Sequence, residues 1–492
     1  MTEGKPQTET VSAFTLFLQS FATGSNIRKR TRTVFQLGIN VVCGWMAKEL
    51  TRKFFFLFAA TLVFLIFITV RTPRIYRSIP KPRWAAKICP FCISEETITP
   101  LNNTKHLLIS AFMDQRVNGF DIRIIGLFRR DSIQPLYCLF CCEGHLSTTT
   151  PTNILQHSDN FGFPFVTTDV MCQIPQDCTP SHVTLLTQTE PDRQRIFNQT
   201  WLPIRNKKSE GNEGGKLQFN FTVCISNLFG DYNNVLQYAQ TLEMYRMLGV
   251  DRVVIYNTSC GPDLNRLLQS YVQEGFVEMV PWPIDKHLNP SSGWLFSKYG
   301  GDVHYFGQLT TLNECIYRSM DRSRYVLLND IDEIIMPYQH NNLMSLMNML
   351  QQQHPKTGVF LIENHIFPKK PFEESKRGPL PRWRGVSGFN ILEHIYREEP
   401  DRKIYHPHKL IIQPKSVEQT SVHEVLKMFG QMFKVPPDIC RIIHSPISTP
   451  TQRPVEQLHV DTRLWDFKDQ LLPAVTKVLG RVGLLSSEPF KV

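Results

Sequence analysis

The chain lacks the glycine-rich loops that cradle phosphates. Neither G-x-G-x-x-G nor G-x-x-x-x-G-K-[ST] occurs in its 492 residues, which disfavours dinucleotide redox and P-loop NTPase chemistry. Most of the chain also lacks an excess of either charge. The formal +10 belongs to residues 1–105, with 15 Lys+Arg against 5 Asp+Glu, and the other 39 basic and 39 acidic residues cancel. With no aromatic-basic stripe either, a nucleic-acid partner is excluded. Disorder and collagen-like repetition are ruled out by 42% apolar residues. Long hydrophobic runs are scarce, and the one that stands out is Phe54 to Val70, 17 uncharged residues between Arg52, Lys53 and Arg71, Arg74, Arg77. At about 1.5 Å per residue it reaches roughly 26 Å, close to the ~27 Å of early secretory bilayers. It is apolar all round, unlike a surface helix, and no small-residue cleavage site follows it closely. We read a single signal anchor, so the membrane is a partner through one helix.

Eleven of the twelve cysteines follow this run, with close pairs Cys89/Cys92, Cys138/Cys141 and Cys172/Cys178. That usage suits an oxidising lumen. The CPFC and CLFC segments resemble zinc half-sites, but the 45-residue gap between them exceeds common ribbon spacings, so disulfides are preferred. Eleven is odd, so at least one thiol stays free or pairs between chains. Four sequons, at Asn102, Asn198, Asn220 and Asn257, also lie beyond the run. Flanking charge points the other way. Within 20 residues there are three basic side chains before the run and six after it, which by the positive-inside rule favours a cytosolic C-terminus. The sequons and cysteines carry our reading: a single-pass type II protein of the Golgi or ER membrane, its C-terminal region lumenal.

Composition divides the chain into a basic tail (1–53), the anchor (54–70), a Pro- and Arg-rich stem (71–105), a β-rich module with its polar linker (106–215), an α/β domain (216–460) and a C-terminal tail (461–492). In the β-rich part HLLISAFMD, FDIRIIGLFRR and PLYCLFCCEG read as antiparallel strands. The domain opens with strand Phe221–Ser226, helix Asn234–Leu248 ended by Gly249, strand Arg252–Asn257, helix Asp263–Glu274 ended by Gly275, and strand Phe276–Val280. Such alternation implies right-handed parallel crossovers with ligands at the carboxyl ends of the strands.

Helical Leu309–Met320 then leads to the apolar strand Tyr325–Leu328 and the sequence Asn329-Asp330-Ile331-Asp332-Glu333. In extended backbone Asp330 and Asp332 project to the same side. Two hard carboxylates at a buried strand end suit Mg²⁺ or Mn²⁺, which usually complete their shell with phosphate oxygens and water. The chemistry calling for this is departure of a nucleoside diphosphate. A lone Asp-x-Asp is common in solvated turns; the preceding strand and half-sheet are what give this one weight.

These residues carry a resemblance. YFGQLTTLNECIYRSM, YVLLNDIDEIIMP and LEMYRMLGVDRVVIYN are similar to segments of glycosyltransferase family 92, as are SAFMDQRVNGFDIRIIG before the domain and HKLIIQPKSVEQTSVHEV near its end. The match runs from about His106 to Ser445. The resemblance implies a metal-dependent, inverting, type II membrane enzyme with a GT-A type fold, a central mostly parallel sheet, and UDP-galactose as donor to a glycan of a glycoprotein or glycolipid. It implies that Asp330 and Asp332 hold metal and diphosphate. Asn257 is placed to meet the nucleoside, though a turn amide explains it equally well. Gly307 and Gln308 match the Gly-Gln step before the central helix, where they serve the donor site or merely the helix start.

A third metal ligand is expected from a late histidine. His423 is preferred to His444, because His444-Ser445-Pro446 departs from the family's His-Tyr-Arg. Lys409, ahead of an apolar strand, is a candidate for a phosphate. Inversion needs one base to deprotonate the acceptor hydroxyl. Glu363, after the strand GVFLI, is chosen over Glu373, Glu374 and Glu393. The alternative from another class is a catalytically silent glycan-binding or transferase-assembly protein of the secretory pathway.

Overall fold

The computed structural model describes Cys89 and residues 93–189, 196, 199–207, 217–370, 383, 385–403, 407–446 and 453–485. The chain separates into Met1–Ala85 and Ala86–Val492, and every described residue belongs to the second unit. The basic tail, the anchor Phe54–Val70, Cys92, Asn198, Glu373 and Glu374 lie outside the described residues. Among those described, no helix is long and apolar enough to cross a membrane.

The three β-type runs form strands Leu107–Met113, Ile122–Arg129 and Tyr137–Cys142. The sheet they belong to closes on itself. Its order runs Leu107–Met113, Ile122–Arg129, Phe165–Cys172, Thr150–Gln156, Tyr137–Cys142, Pro180–Leu186 and Leu202–Arg205, and the last strand pairs parallel with the first. Closure leaves these seven strands without a free edge. Leu108, Ile124, Phe128, Phe140, Val170 and Val183 share their core. Disulfides Cys138–Cys172 and Cys142–Cys178 staple it, and Cys89–Cys141 ties on the preceding segment. Both cysteines of CLFC are therefore in disulfides, not in a zinc half-site. Cys89, and Ile93 bridging to Trp201, carry the barrel back into the stretch read as stem.

The second sheet contains β1 (Phe219–Leu228), β2 (Arg252–Asn257), β3 (Val277–Pro281), β4 (Ser323–Leu328), β5 (Glu333–Pro337), β6 (Thr357–Ile366), β7 (His408–Ile412), β8 (Gln431–Lys434) and β9 (Cys440–His444). Its order is β3-β2-β1-β4-β7-β6-β9-β5, with β8 also on β6. β3, β2, β1 and β4 are parallel, as alternation with α1 (Val235–Met247), α2 (Pro262–Gln273) and α3 (Gln308–Ser319) requires. β7 is antiparallel to β4 and β6, so the whole is mixed α/β.

Period-two alternation divides β1 between two cores. Phe221, Val223 and Ile225 pack with α1, α2, α4 (Leu343–Gln353) and α5 (Lys468–Arg481). Cys224, bonded to Cys315 of α3, faces a core shared with Leu107, Ile109, Phe112 and Ile125 of the barrel. Barrel and α/β sheet thus bury one another. The segment from 461, read as a tail, instead forms α5, whose Leu471, Val475 and Leu479 are fully buried against the α1 side.

Candidate active site

The site forms where the sheet order reverses: β1 is followed by β2 on one side and flanked by β4 on the other, leaving a crevice at their carboxyl ends. Beyond β4 the chain makes a tight turn through Asn329–Asp332 rather than continuing extended. Buried Asn329 pins that turn, its Nδ2 donating to the Tyr245 hydroxyl at 2.7 Å and the Glu333 carbonyl at 2.8 Å. Asp330 and Asp332 consequently both line a cavity of about 800 Å³, facing Ser226, Asn227 and Phe229 from the end of β1.

Asp330 is held from three directions. Lys409 Nζ donates to its Oδ2 at 2.8 Å, Ser226 Oγ lies 3.3 Å and Gln308 Nε2 3.4 Å from its Oδ1, and Lys409 also meets Glu333 Oε2 at 3.1 Å. Lys409 sits beneath the carboxylates and is not part of the cavity lining. Burial opposes its charge, but Asp330 and Glu333 outweigh burial and raise its pKa. Burial likewise pushes Asp330 up, and Lys409 reverses this, leaving Asp330 below the ordinary carboxylate range. Glu333 goes the other way, raised by burial and by Asp330 against the pull of Lys409. One buried cation thus makes an acidic cluster tolerable.

β5 pairs antiparallel with β9, and that register sets His444 opposite Glu333. His444 Nε2 is 3.3 Å from Asp332 Oδ2. Burial alone would lower its pKa; the Asp332 contact pushes it up to about 9. His423 lies between strands Val417–Thr420 and Val425–Met428 and also lines the cavity. Its Nδ1 is 3.2 Å from the His408 carbonyl, its ring stacks on Trp294 with centroids 5.6 Å apart, and burial with Lys409 pushes its pKa down to about 4. Of the two late histidines, His444 is the one in contact with Asp332, while His423 lines the same cavity within electrostatic reach of Asp330.

Gly307 caps α3 in the left-handed region, at φ 79°. Tyr305 (φ 40°) and Phe306 (φ 55°) are left-handed too, a strain that persists because the surroundings hold it. Asn227 Nδ2 donates to both their carbonyls at 3.0 Å, and Trp282 Nε1 donates to the Phe306 carbonyl at 2.8 Å. Gln308, next in line, reaches Ser226 and Asp330 and lines the cavity.

Like Lys409, Gly307 is outside the cavity lining, and Glu363 and Asn257 stay away from it altogether. On β6, Asn364 turns to the cavity and donates to Glu333 Oε1 at 2.8 Å, so Glu363 falls on the opposite face. There Glu363 is buried against Arg402 at 2.7 Å and His365 at 2.9 Å, which removes it from the place of a base. Asn257 ends β2 with its Oδ1 buried, outside the lining. Glu393 closes the short turn Ile391–Glu393, also outside it. The acids that do reach the cavity mouth are Glu398, Glu399 and Asp401, and Glu399 is paired with Arg397 and Arg402. They belong to no recognisable motif, and only the folded chain brings them to the site. Among the described residues no group of three or more His, Cys, Asp or Glu is arranged to hold a metal ion.

A mixed α/β sheet with an acid-lined crevice at its switch point is consistent with a glycosyltransferase domain. Residues 219–471, a little over half of the chain, match the model of Glycosyltransferase family 92, and the chain belongs to that family. A glycosyltransferase family 92 protein of Caenorhabditis elegans is 24% identical over 224 residues, covering 45% of this chain and 41% of that protein. The beta-1,4-galactosyltransferase galt-1 of the same organism is 19% identical over 202 residues, covering 40% of this chain and 44% of its own length. The chain thus spans less than half the length of either relative. Among solved structures, apo UDP-glucose pyrophosphorylase aligns at a TM-score of 0.21 with 8% identity, over 53% of this chain and 98% of that one, too low to carry an argument.

Proposed function

We propose that the chain transfers a sugar, galactose from UDP-galactose, to a glycan of a glycoprotein or glycolipid with inversion, in a GT-A type site that uses a divalent metal. The observation that carries the reading is the junction of Asp332 and His444 beyond the end of β4, inside a crevice of about 800 Å³ lined by family-matched residues. A carboxylate and an imidazole, with remaining positions left to diphosphate oxygens and water, fit Mn²⁺ better than Mg²⁺, which prefers oxygen alone. When bound, such an ion supplies neutralisation of the charge building on the leaving diphosphate. Lys409 keeps Asp330 ionised beside that pair, and Ser226 with Gln308 fixes the direction of its Oδ1. Phe229 and Tyr232 offer ring surfaces to the nucleoside. For the base we place Glu398, a cavity carboxylate without a side-chain partner among the described residues, in the position first assigned to Glu363. The four disulfides support a lumenal location, with the N-terminal run as anchor.

The test is UDP binding followed as a rise in melting temperature with and without Mn²⁺. Wild type should respond to UDP only when the metal is present, Asp332→Ala and His444→Ala should lose the response, and Glu398→Gln should keep it while losing transfer. A wild-type chain that ignores UDP and Mn²⁺ would favour the catalytically silent glycan-binding protein instead. Donor hydrolysis that survives EDTA would overturn the metal role.

A further inference from the structure

Of the eleven large apolar side chains exposed among the described residues, four fall in one six-residue stretch: Trp294, Leu295, Phe296 and Tyr299. The short helix Phe296–Tyr299 buries none of its residues. Exposed apolar surface that is contiguous and rigid marks a binding surface, and this one is rigid from below. The Trp294 indole lies parallel to the His423 ring at 5.6 Å, 7° from coplanar, with the rings of His304 at 5.0 Å and Phe161 at 5.3 Å standing steeply to it. Phe163 backs Phe296 at 5.5 Å. Phe161 and Phe163 both come from the β-barrel, so the barrel supports the shelf. Trp294 is 38% exposed and lines the same cavity as Asp332 and Glu398.

We propose that this shelf is the acceptor subsite, and that it takes a neutral pyranose ring of a glycan with its C–H face against the Trp294 indole. The inference rests on the transferase reading above and adds where the acceptor lies. A pyranose offers one apolar face and a rim of hydroxyls; the negative π face of an indole attracts the former, and cavity carboxylates accept from the latter. A wholly apolar ligand would leave the Glu398 carboxylate desolvated without a side-chain partner among the described residues. An anionic one would meet Asp332, Glu398, Glu399 and Asp401 together. Uracil is the other flat ring the enzyme would handle, and the experiment separates the two.

With full-length protein, Mn²⁺ and UDP-galactose, a panel of neutral β-linked oligosaccharides identifies an acceptor, for which KM is measured beside the Kd of UDP with Mn²⁺. Trp294→Ala should raise acceptor KM about tenfold or more, ~1.4 kcal/mol, with UDP Kd within about twofold of wild type. Trp294→Phe should recover part of the loss. In wild type, saturation-transfer NMR should mark the C–H protons of one sugar face, a measurement independent of whether the alanine variant folds. A UDP Kd that rises along with KM assigns Trp294 to the nucleobase and overturns the proposal. So does an unchanged KM, or saturation spread evenly over the sugar. Wild-type protein that binds no UDP overturns the transferase reading itself, and the acceptor subsite with it.

Discussion

Arg123 joins the barrel to the α/β domain, and its removal should have a large and specific cost. It is fully buried and donates to Asp114 at 2.9 Å and Asp169 at 2.5 Å within the barrel, and to Glu418 at 3.0 Å in the domain. Arg123→Met keeps much of the stem and deletes the charge. Asp114 would retain Arg116 at 2.7 Å, and Asp169 would retain His157 at 3.0 Å, but Asp169 would lose its strong cation in a fully buried position. Glu418 is partly exposed and contributes about 1 kcal/mol or less. Breaking a buried pair in this way costs about 3–5 kcal/mol, so we expect a loss near 4 kcal/mol at pH 7 in urea denaturation of the full chain. Arg123→Lys should recover only part of it, since one ammonium cannot fork between carboxylates. Burial pushes Asp169 up, but His157 and Arg123 hold its carboxyl well below the ordinary range. A depressed carboxylate stabilises above its unfolded pKa of about 3.9, and that contribution is lost as pH falls towards the folded value. The variant keeps only the part that His157 supplies, so its gap to wild type should narrow below pH ~4. A variant within ~1 kcal/mol of wild type at pH 7, or a gap that widens in acid, would refute this account.

Lys409→Met should also destabilise by about 3–5 kcal/mol, because Asp330 and Glu333 would share a buried site without their cation; pairing it with Glu333→Gln should return a good part of the loss, and thermal melting of the two variants checks this. Gly307→Ala forces an alanine to φ 79° with its Cβ 3.2 Å from the Trp282 ring, a cost of about 1–3 kcal/mol. It should weaken UDP binding as well, since Gln308 follows directly. The lumenal reading predicts glycan at Asn102 and Asn220, both exposed, and none at Asn257, whose Oδ1 is buried. Mobility shifts of single Asn→Gln variants after glycosidase treatment test each site, and a chain without glycan argues against a lumenal domain.

Local pattern was enough where an element stabilises itself by burying one face. Strand Arg252–Asn257 appears at its expected bounds, and the helix read as Asn234–Leu248 runs Val235–Met247 with Asn234 as its cap. The carboxylate pair at the end of β4 was legible for the same reason, since an apolar strand followed by Asp-x-Asp is a contiguous signal. Closure of the barrel was not, because it depends on Leu202–Arg205 pairing with Leu107–Met113 across nearly a hundred residues. α5 was missed because its apolar residues follow a linker-like stretch and only α1 explains their burial.

The sequence by itself determined the parallel half-sheet, the Asp330/Asp332 pair and a cysteine usage suited to disulfides, because each is written in neighbouring residues. Tertiary structure alone decided the partners of those carboxylates. Lys409 and His444 arrive on strands that pair with β4 and through β5, and strand register has no signature in the chain between. Register also turned Glu363 away from the cavity and Asn364 toward it, since one step along a strand reverses the face. The aromatic shelf is the clearest case: Trp294 is an ordinary loop tryptophan until His423, His304 and the barrel's Phe161 fix its ring beside the acids.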